Sequence, residues 1–137
     1  MSLIGKERRT PRVAWVDDEG VARLANVDEQ YAYLGTTGRV TGAEHEIEIW
    51  FASDGTTVWL ISGGHDRSDW VRNLRADPRA RVRVGEQSMT MRARCPITDA
   101  NERDTAARLL HAKYATHVSG SADEWAANAY LVALDPA

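Results

Sequence analysis

Tyr33-Leu34-Gly35-Thr36-Thr37-Gly38-Arg39-Val40-Thr41-Gly42, then the runs His45 to Phe51 and Thr57 to Ile61 around Asp54-Gly55, decide the fold. In the first run His45, Ile47, Ile49 and Phe51 alternate with Glu44, Glu46 and Glu48, the two-residue period of a strand with unlike faces. Asp54-Gly55 is a hairpin signal, and Val58 to Ile61 are apolar on both faces, as in a wall covered from both sides. Strands joined by hairpins build an antiparallel sheet rather than a parallel one.

Outward from this stretch the pattern continues. Ser62-Gly63-Gly64 is a bend, and Asp66 to Ala76 reads as a helix with Ser68 or Asp66 as N-cap, an apolar stripe of Trp70, Val71 and Leu74, and a stop at Asp77-Pro78. Strands over Arg79 to Val84 and Ser88 to Cys95 follow. Asp99 starts a longer helix with Glu102 as its capping partner, whose period runs through Ala106, Leu109, Leu110, Tyr114 and His117. A Ser/Gly turn over Val118 to Ala122, a short helix carrying Trp125 and a strand over Tyr130 to Leu134 complete the chain. Upstream, Gln30 to Thr36 is a strand, Val21, Leu24 and Val27 form a weak helical face within Asp18 to Gln30, Val13 to Val16 is a short strand, and residues 1–12 are an irregular arm. Six strands in hairpin order with peripheral helices predict a single domain over residues 1–137, mainly β, folded as a six-stranded antiparallel barrel.

Composition narrows the function. A net charge of −3 argues against nucleic acid, and the local excess of arginine from Arg67 to Arg94 reads chiefly as a solvated strand face alternating with Ala80, Val82 and Val84. That stripe is also a partner for the three glutamates, within the chain or across a dimer. No apolar run approaches a membrane span, and the lone cysteine, Cys95, agrees with a reducing compartment, so a cytoplasmic protein is expected. There is no Gly-x-Ser-x-Gly elbow, His-Glu-x-x-His or P-loop lysine, and His111 and His117 are badly spaced for a metal pair. A bound redox ring is then the economical source of chemistry, with strand, glycine bend and helix start making an anion seat beside Arg39, Arg67 and Arg72.

Thr36-Thr37-Gly38-Arg39 with Gly42, the Asp54-Gly55 hairpin, Ser62-Gly63-Gly64 and Trp70-Val71-Arg72-Asn73-Leu74 resemble, in order and spacing over roughly residues 31–97, the deazaflavin-dependent nitroreductases and quinone reductases. The resemblance implies a split β-barrel of the FMN-binding, pyridoxamine-phosphate-oxidase type, usually a homodimer, using coenzyme F420 to reduce a small-molecule redox substrate: a quinone, nitroaromatic or activated alkene. It places Arg39, Thr41, His45 and the backbone around Ile47 about the coenzyme, Ser62, Gly63 and Gly64 at its phosphate, and Trp70 and Asn73 at the helix start. Trp50 and Tyr114 are candidates for the acceptor pocket, as is Tyr130. Relative to many members, Val40 stands for a lysine, His45 for an arginine, and the Ser-Gly-Gly bend lacks a lysine, with Arg67 and Arg72 as replacement cations. An FMN-dependent reductase or oxidase and a non-enzymatic ligand-binding barrel are the alternatives.

Overall fold

The computed structural model describes residues 23–137 in full, with the strand backbone of Arg12, Val13, Trp15, Val16 and Ala22. The strands are β1 (Arg12–Val13), β2 (Trp15–Val16), β3 (Ala22–Arg23), β4 (Ala32–Thr37), β5 (Glu44–Ile49), β6 (Ala52–Ser53), β7 (Val58–Ser62), β8 (Arg79–Val84), β9 (Gln87–Arg94) and β10 (Tyr130–Pro136). The helices are α1 (Asp69–Ala76), α2 (Ala100–Lys113) and α3 (Ala122–Asn128), with 3₁₀ turns at His65–Arg67 and Ala115–His117. One sheet runs β5-β4-β8-β9-β10-β7-β6 with antiparallel neighbours, and β1 adds to β9 in parallel. Six strands are five residues or longer, as the sequence predicts; the two-residue β6 is an addition, the short strand expected over Val13 to Val16 appears in part as β1 and β2, and β1 departs from a purely antiparallel arrangement.

The sheet curls around Leu34, Phe51, Leu60, Met91, Val132 and Leu134, all buried. A second apolar layer, with Trp59, Ile97, Leu110, Tyr114, Leu131 and Ala133, lies between β7 and β10 and helix α2. Val58 and Leu60 therefore face one core and Trp59 the other, which is why this strand is apolar on both sides. Asp99 caps α2 by accepting from the Glu102 N–H at 2.8 Å. The Glu102 carboxylate does not return the favour. It is held by Arg94 at 2.6 and 2.8 Å and by the Trp59 indole at 3.0 Å, tying α2 to the sheet. Leu109 and His117, expected on the buried face, are exposed.

Three predicted elements need correction. The helix expected from Asp66 starts only at Asp69, after a separate 3₁₀ turn over His65–Arg67 and an extended Ser68. The run His45 to Phe51 is not one strand: β5 ends at Ile49, and the chain resumes as β6, paired with β7 only at Ala52–Trp59 and Ser53–Val58. The break is fixed by Tyr114, whose hydroxyl bonds the Phe51 N–H at 3.0 Å and lies 3.1 Å from its carbonyl, which also accepts from Lys113. Nor do the described residues before Gln30 form a helix. Within the described residues 22–30 the chain is strand β3 followed by turns. Its backbone groups are claimed from afar, Leu24 N by Gly55, Ala25 N by Gln87 and the Val27 carbonyl by Lys113, which displaces an i to i−4 ladder. Residues 18–21 and the arm up to Pro11 lie outside the described residues.

The outer face of β5-β4-β8 is ionic. Arg81 bonds Glu44 at 2.8 Å and Arg83 approaches Glu46 to 3.7 Å, so the arginine stripe is the glutamates' partner within the chain, while Tyr33 donates to Glu48 at 3.0 Å. The Arg81 bridge crosses β4 at Gly35, where a Cβ would stand 2.5 Å from the Glu44 carboxylate. No helix among the described residues is long and apolar enough to cross a membrane.

Candidate active site

Two clefts lie along β5, an edge strand of the curled sheet. The first, about 410 Å³, lies between the β4–β5 turn and the start of α1 and is lined by Arg39, Thr41, His45, Ile47, Trp70 and Asn73 among others. The turn is built for this. Gly38 N–H bonds the Ala43 carbonyl at 2.7 Å, and the His45 ring packs onto Gly38 so closely that a Cβ there would be 2.7 Å from Nε2. His45 is thus held at the rim of the turn.

Arg39 is the cleft's guanidinium, and α1 positions it. Its Nη1 donates to the Asn73 Oδ1 at 2.8 Å and the Asp69 carbonyl at 3.4 Å, and its Nη2 pairs with the Asp69 carboxylate at 3.2 Å. Asn73 is buried, accepts from the Arg39 N–H at 3.2 Å and donates to the buried Thr36 hydroxyl at 3.1 Å. One amide thereby locks strand, turn and helix together. The arginine's Nε–H and one Nη2–H have no bond to any described residue, so two donors remain for an oxyanion.

The second cleft, about 680 Å³, is the split of the barrel. Glu48, Ile49 and Trp50 from the β5 end face Ile61, Ser62 and Gly63 from β7, and Val118, Glu124 and Trp125 cover it from the α3 side. Its walls are largely apolar. Trp50 is backed by Tyr114, with ring centroids 4.2 Å apart and planes 3° from parallel. Nothing lies within 4 Å of where a Gly63 Cβ would stand, so ligand atoms have room to approach that backbone. Ser62 is buried, and its hydroxyl bonds the His65 carbonyl and the Ser68 hydroxyl, each at 2.7 Å. Ser68 precedes α1 but gives no side-chain cap.

The residues expected to form one anion seat are therefore divided. Arg39, Thr41, His45, Ile47, Trp70 and Asn73 share the first cleft; Ser62 and Gly63 share the second with Trp50; α1 and Ser68 link the two. The division follows from the sheet order, which sets β7 near the opposite edge from β4. Gly64 packs against Ser68, its Cβ position 2.6 Å from the hydroxyl. Arg67 and Arg72 are exposed and line neither cleft. Tyr114 is wholly buried and reaches the second cleft only through Trp50, because its hydroxyl is spent on Phe51 and Gln30. Tyr130 packs against the main core. Asp69, His65 and Trp125 were not legible as site residues, and of these Trp125 alone carried a signal, as a large aromatic on a short helix; Thr36 stands in the Thr-Thr-Gly-Arg motif without being singled out as lining the site. No group of His, Cys, Asp and Glu able to hold a metal occurs among the described residues.

The model of the F420H(2)-dependent quinone reductase family matches residues 8–123. The chain belongs to this family. No curated protein matches it. Among solved structures it is similar to an F420-H2 dependent reductase, at 19% identity over 77% of this chain and 93% of that one, TM-score 0.58. It is also similar to a Listeria innocua protein assigned provisionally to the pyridoxamine 5′-phosphate oxidases, at 15% identity over 78% and 83%, TM-score 0.58. A third, described as a domain-swapped dimer, has 18% identity over 87% of both chains, TM-score 0.61. These likenesses establish the split-barrel fold. The family's coenzyme is F420, and the site fits an anionic nucleotide-like group in two respects: free donors on Arg39 and open space beside Gly63.

Proposed function

We propose that this chain binds F420 along β5 and reduces a small, planar, electron-poor acceptor, a quinone, nitroaromatic or activated alkene. The carrying observation is that a cleft holding Arg39 and an apolar, tryptophan-walled cleft take successive residues of one edge strand, Ile47 in the first and Glu48 and Ile49 in the second. Arg39 grips an oxyanion of the coenzyme through its two free donors, oriented by Asn73 and Asp69. His45 and Thr41 add donors at the same rim. The β5 edge, whose Ile47 is 36% exposed, offers an apolar and hydrogen-bonding ledge. Ser62 and Gly63 supply a bend without steric obstruction. Trp50, braced by Tyr114, and Trp125 exclude water and present flat surfaces to the acceptor. When bound, reduced F420 supplies a hydride, and no protein nucleophile is required.

The reading extends to a cytoplasmic homodimer, supported by the exposed β5 edge and by the dimer among the structural relatives. Turnover is tested by mixing the protein with reduced F420 and a naphthoquinone and following the return of oxidised coenzyme. Arg39→Ala is expected to raise the KM for coenzyme and Trp50→Ala that for the acceptor. No turnover with any of the three acceptor classes, at saturating coenzyme, refutes the activity.

FMN is the second reading. It is favoured by the sparse cations of the first cleft, where Arg39 is half neutralised by Asp69 and Val40, 86% exposed, stands in place of a lysine. Flavin released by heating the purified protein would select it.

A further inference from the structure

His65 lines the second cleft and has φ 56°, the one residue other than glycine with positive φ among those described. The left-handed region disfavours side chains, and two glycines that tolerate it freely, Gly63 and Gly64, stand immediately before. Neither takes it, Gly64 having φ −90°. The strained conformation is held in place by Ser62, whose buried hydroxyl bonds the His65 carbonyl. Strain maintained by a buried neighbour at the mouth of a cleft is the pattern of a side chain kept for use.

The cleft's polar groups show what that use is. Glu48 accepts from Tyr33, and Glu124 is engaged with the Ser121 N–H in the cap of α3. Both are acceptors only when ionised, so neither serves a ligand oxygen. The His65 imidazole is exposed and bonds no described residue, and whichever tautomer is present carries an N–H. We propose that His65 recognises the acceptor, donating a hydrogen bond to the carbonyl oxygen of a quinone-type ring held against Trp50 and Trp125. This rests on the reductase reading for its substrate class but concerns binding alone, which needs no coenzyme.

The test is quenching of tryptophan fluorescence by 1,4-naphthoquinone and, in parallel, by naphthalene, which has the same ring and no oxygen. His65→Gly suits the backbone and is expected to melt no lower than the wild type, while losing about tenfold in naphthoquinone affinity and nothing for naphthalene. Asn128→Ala, on α3, removes another side-chain donor of the cleft and is expected to change neither. Unchanged naphthoquinone affinity in His65→Gly, equal losses for both rings, no naphthoquinone binding by the wild type, or a loss confined to Asn128→Ala each overturns the proposal. Failure of F420 to bind would refute the reductase reading while leaving the difference between the two rings intact.

Discussion

Replacing Asn73 with alanine removes three hydrogen bonds from the junction of β4, the Arg39 turn and α1. Two are neutral, to the Thr36 hydroxyl and from the Arg39 N–H, and contribute about 1 kcal/mol each; the third, from the guanidinium, contributes about 2 kcal/mol. Water recovers part of this, since the Arg39 side chain is 30% exposed, and leaves a net loss of about 3 kcal/mol. For a chain of this size that lowers the midpoint of thermal unfolding by about 10 °C. Urea denaturation should show a lower midpoint with an unchanged slope. Asn73→Asp keeps an oxygen for Arg39 and is expected to be the more stable variant, yet it sets a negative charge where an oxyanion should bind and weakens coenzyme binding at least as much. A loss below about 1 kcal/mol for Asn73→Ala would show that turn and helix do not depend on this amide.

Other outcomes follow from neighbouring parts of the fold. Arg103 of α2 donates to the carbonyls of Ile97, Ala126 and Ala129, fastening the end of α3, so Arg103→Met should loosen the Trp125 wall, raising the acceptor KM more than that of the coenzyme. Burial holds the Lys113 amine down to about 8, against the opposing pull of Asp28 and Glu29. A native state that binds fewer protons than the unfolded chain gains stability as pH rises from about 8 to 10.5, so the wild type should gain on Lys113→Met by about 1 kcal/mol over that window, screening included. Burial also pushes the Cys95 thiol up to about 11, and its alkylation near neutral pH should be about a hundredfold slower in the folded protein than in urea.

Local pattern revealed much of this architecture. The two-sided apolar β7 and the helix stop at Asp77-Pro78 are properties of short windows, and each appears where its residues predict; β5 forms as a strand, but its burial does not alternate, every residue from Glu44 to Glu48 being exposed. The break at Trp50–Phe51 could not be read in the same way, because it depends on a tyrosine hydroxyl more than sixty residues away. The turns that replace a helix over residues 22–30 have the same cause: Gln87, Gly55 and Lys113 claim the backbone there, and none is local. At the site, Arg39, His45 and Asn73 were legible from motif spacing, and they do share a cleft. The division between Arg39 and Gly63 was not, since sequence order puts the bend close to the turn while the curl of the sheet puts it across the split. His65 was invisible because its only mark is a backbone angle.

The most direct test of the central claim is a fluorescence titration of oxidised F420 with the wild-type protein and with Arg39→Ala. Saturable binding at or below tens of micromolar, weakened about tenfold or more by the substitution, is the predicted result. No binding by the wild type in that range, or equal affinity in both proteins, would contradict an anion seat built on Arg39.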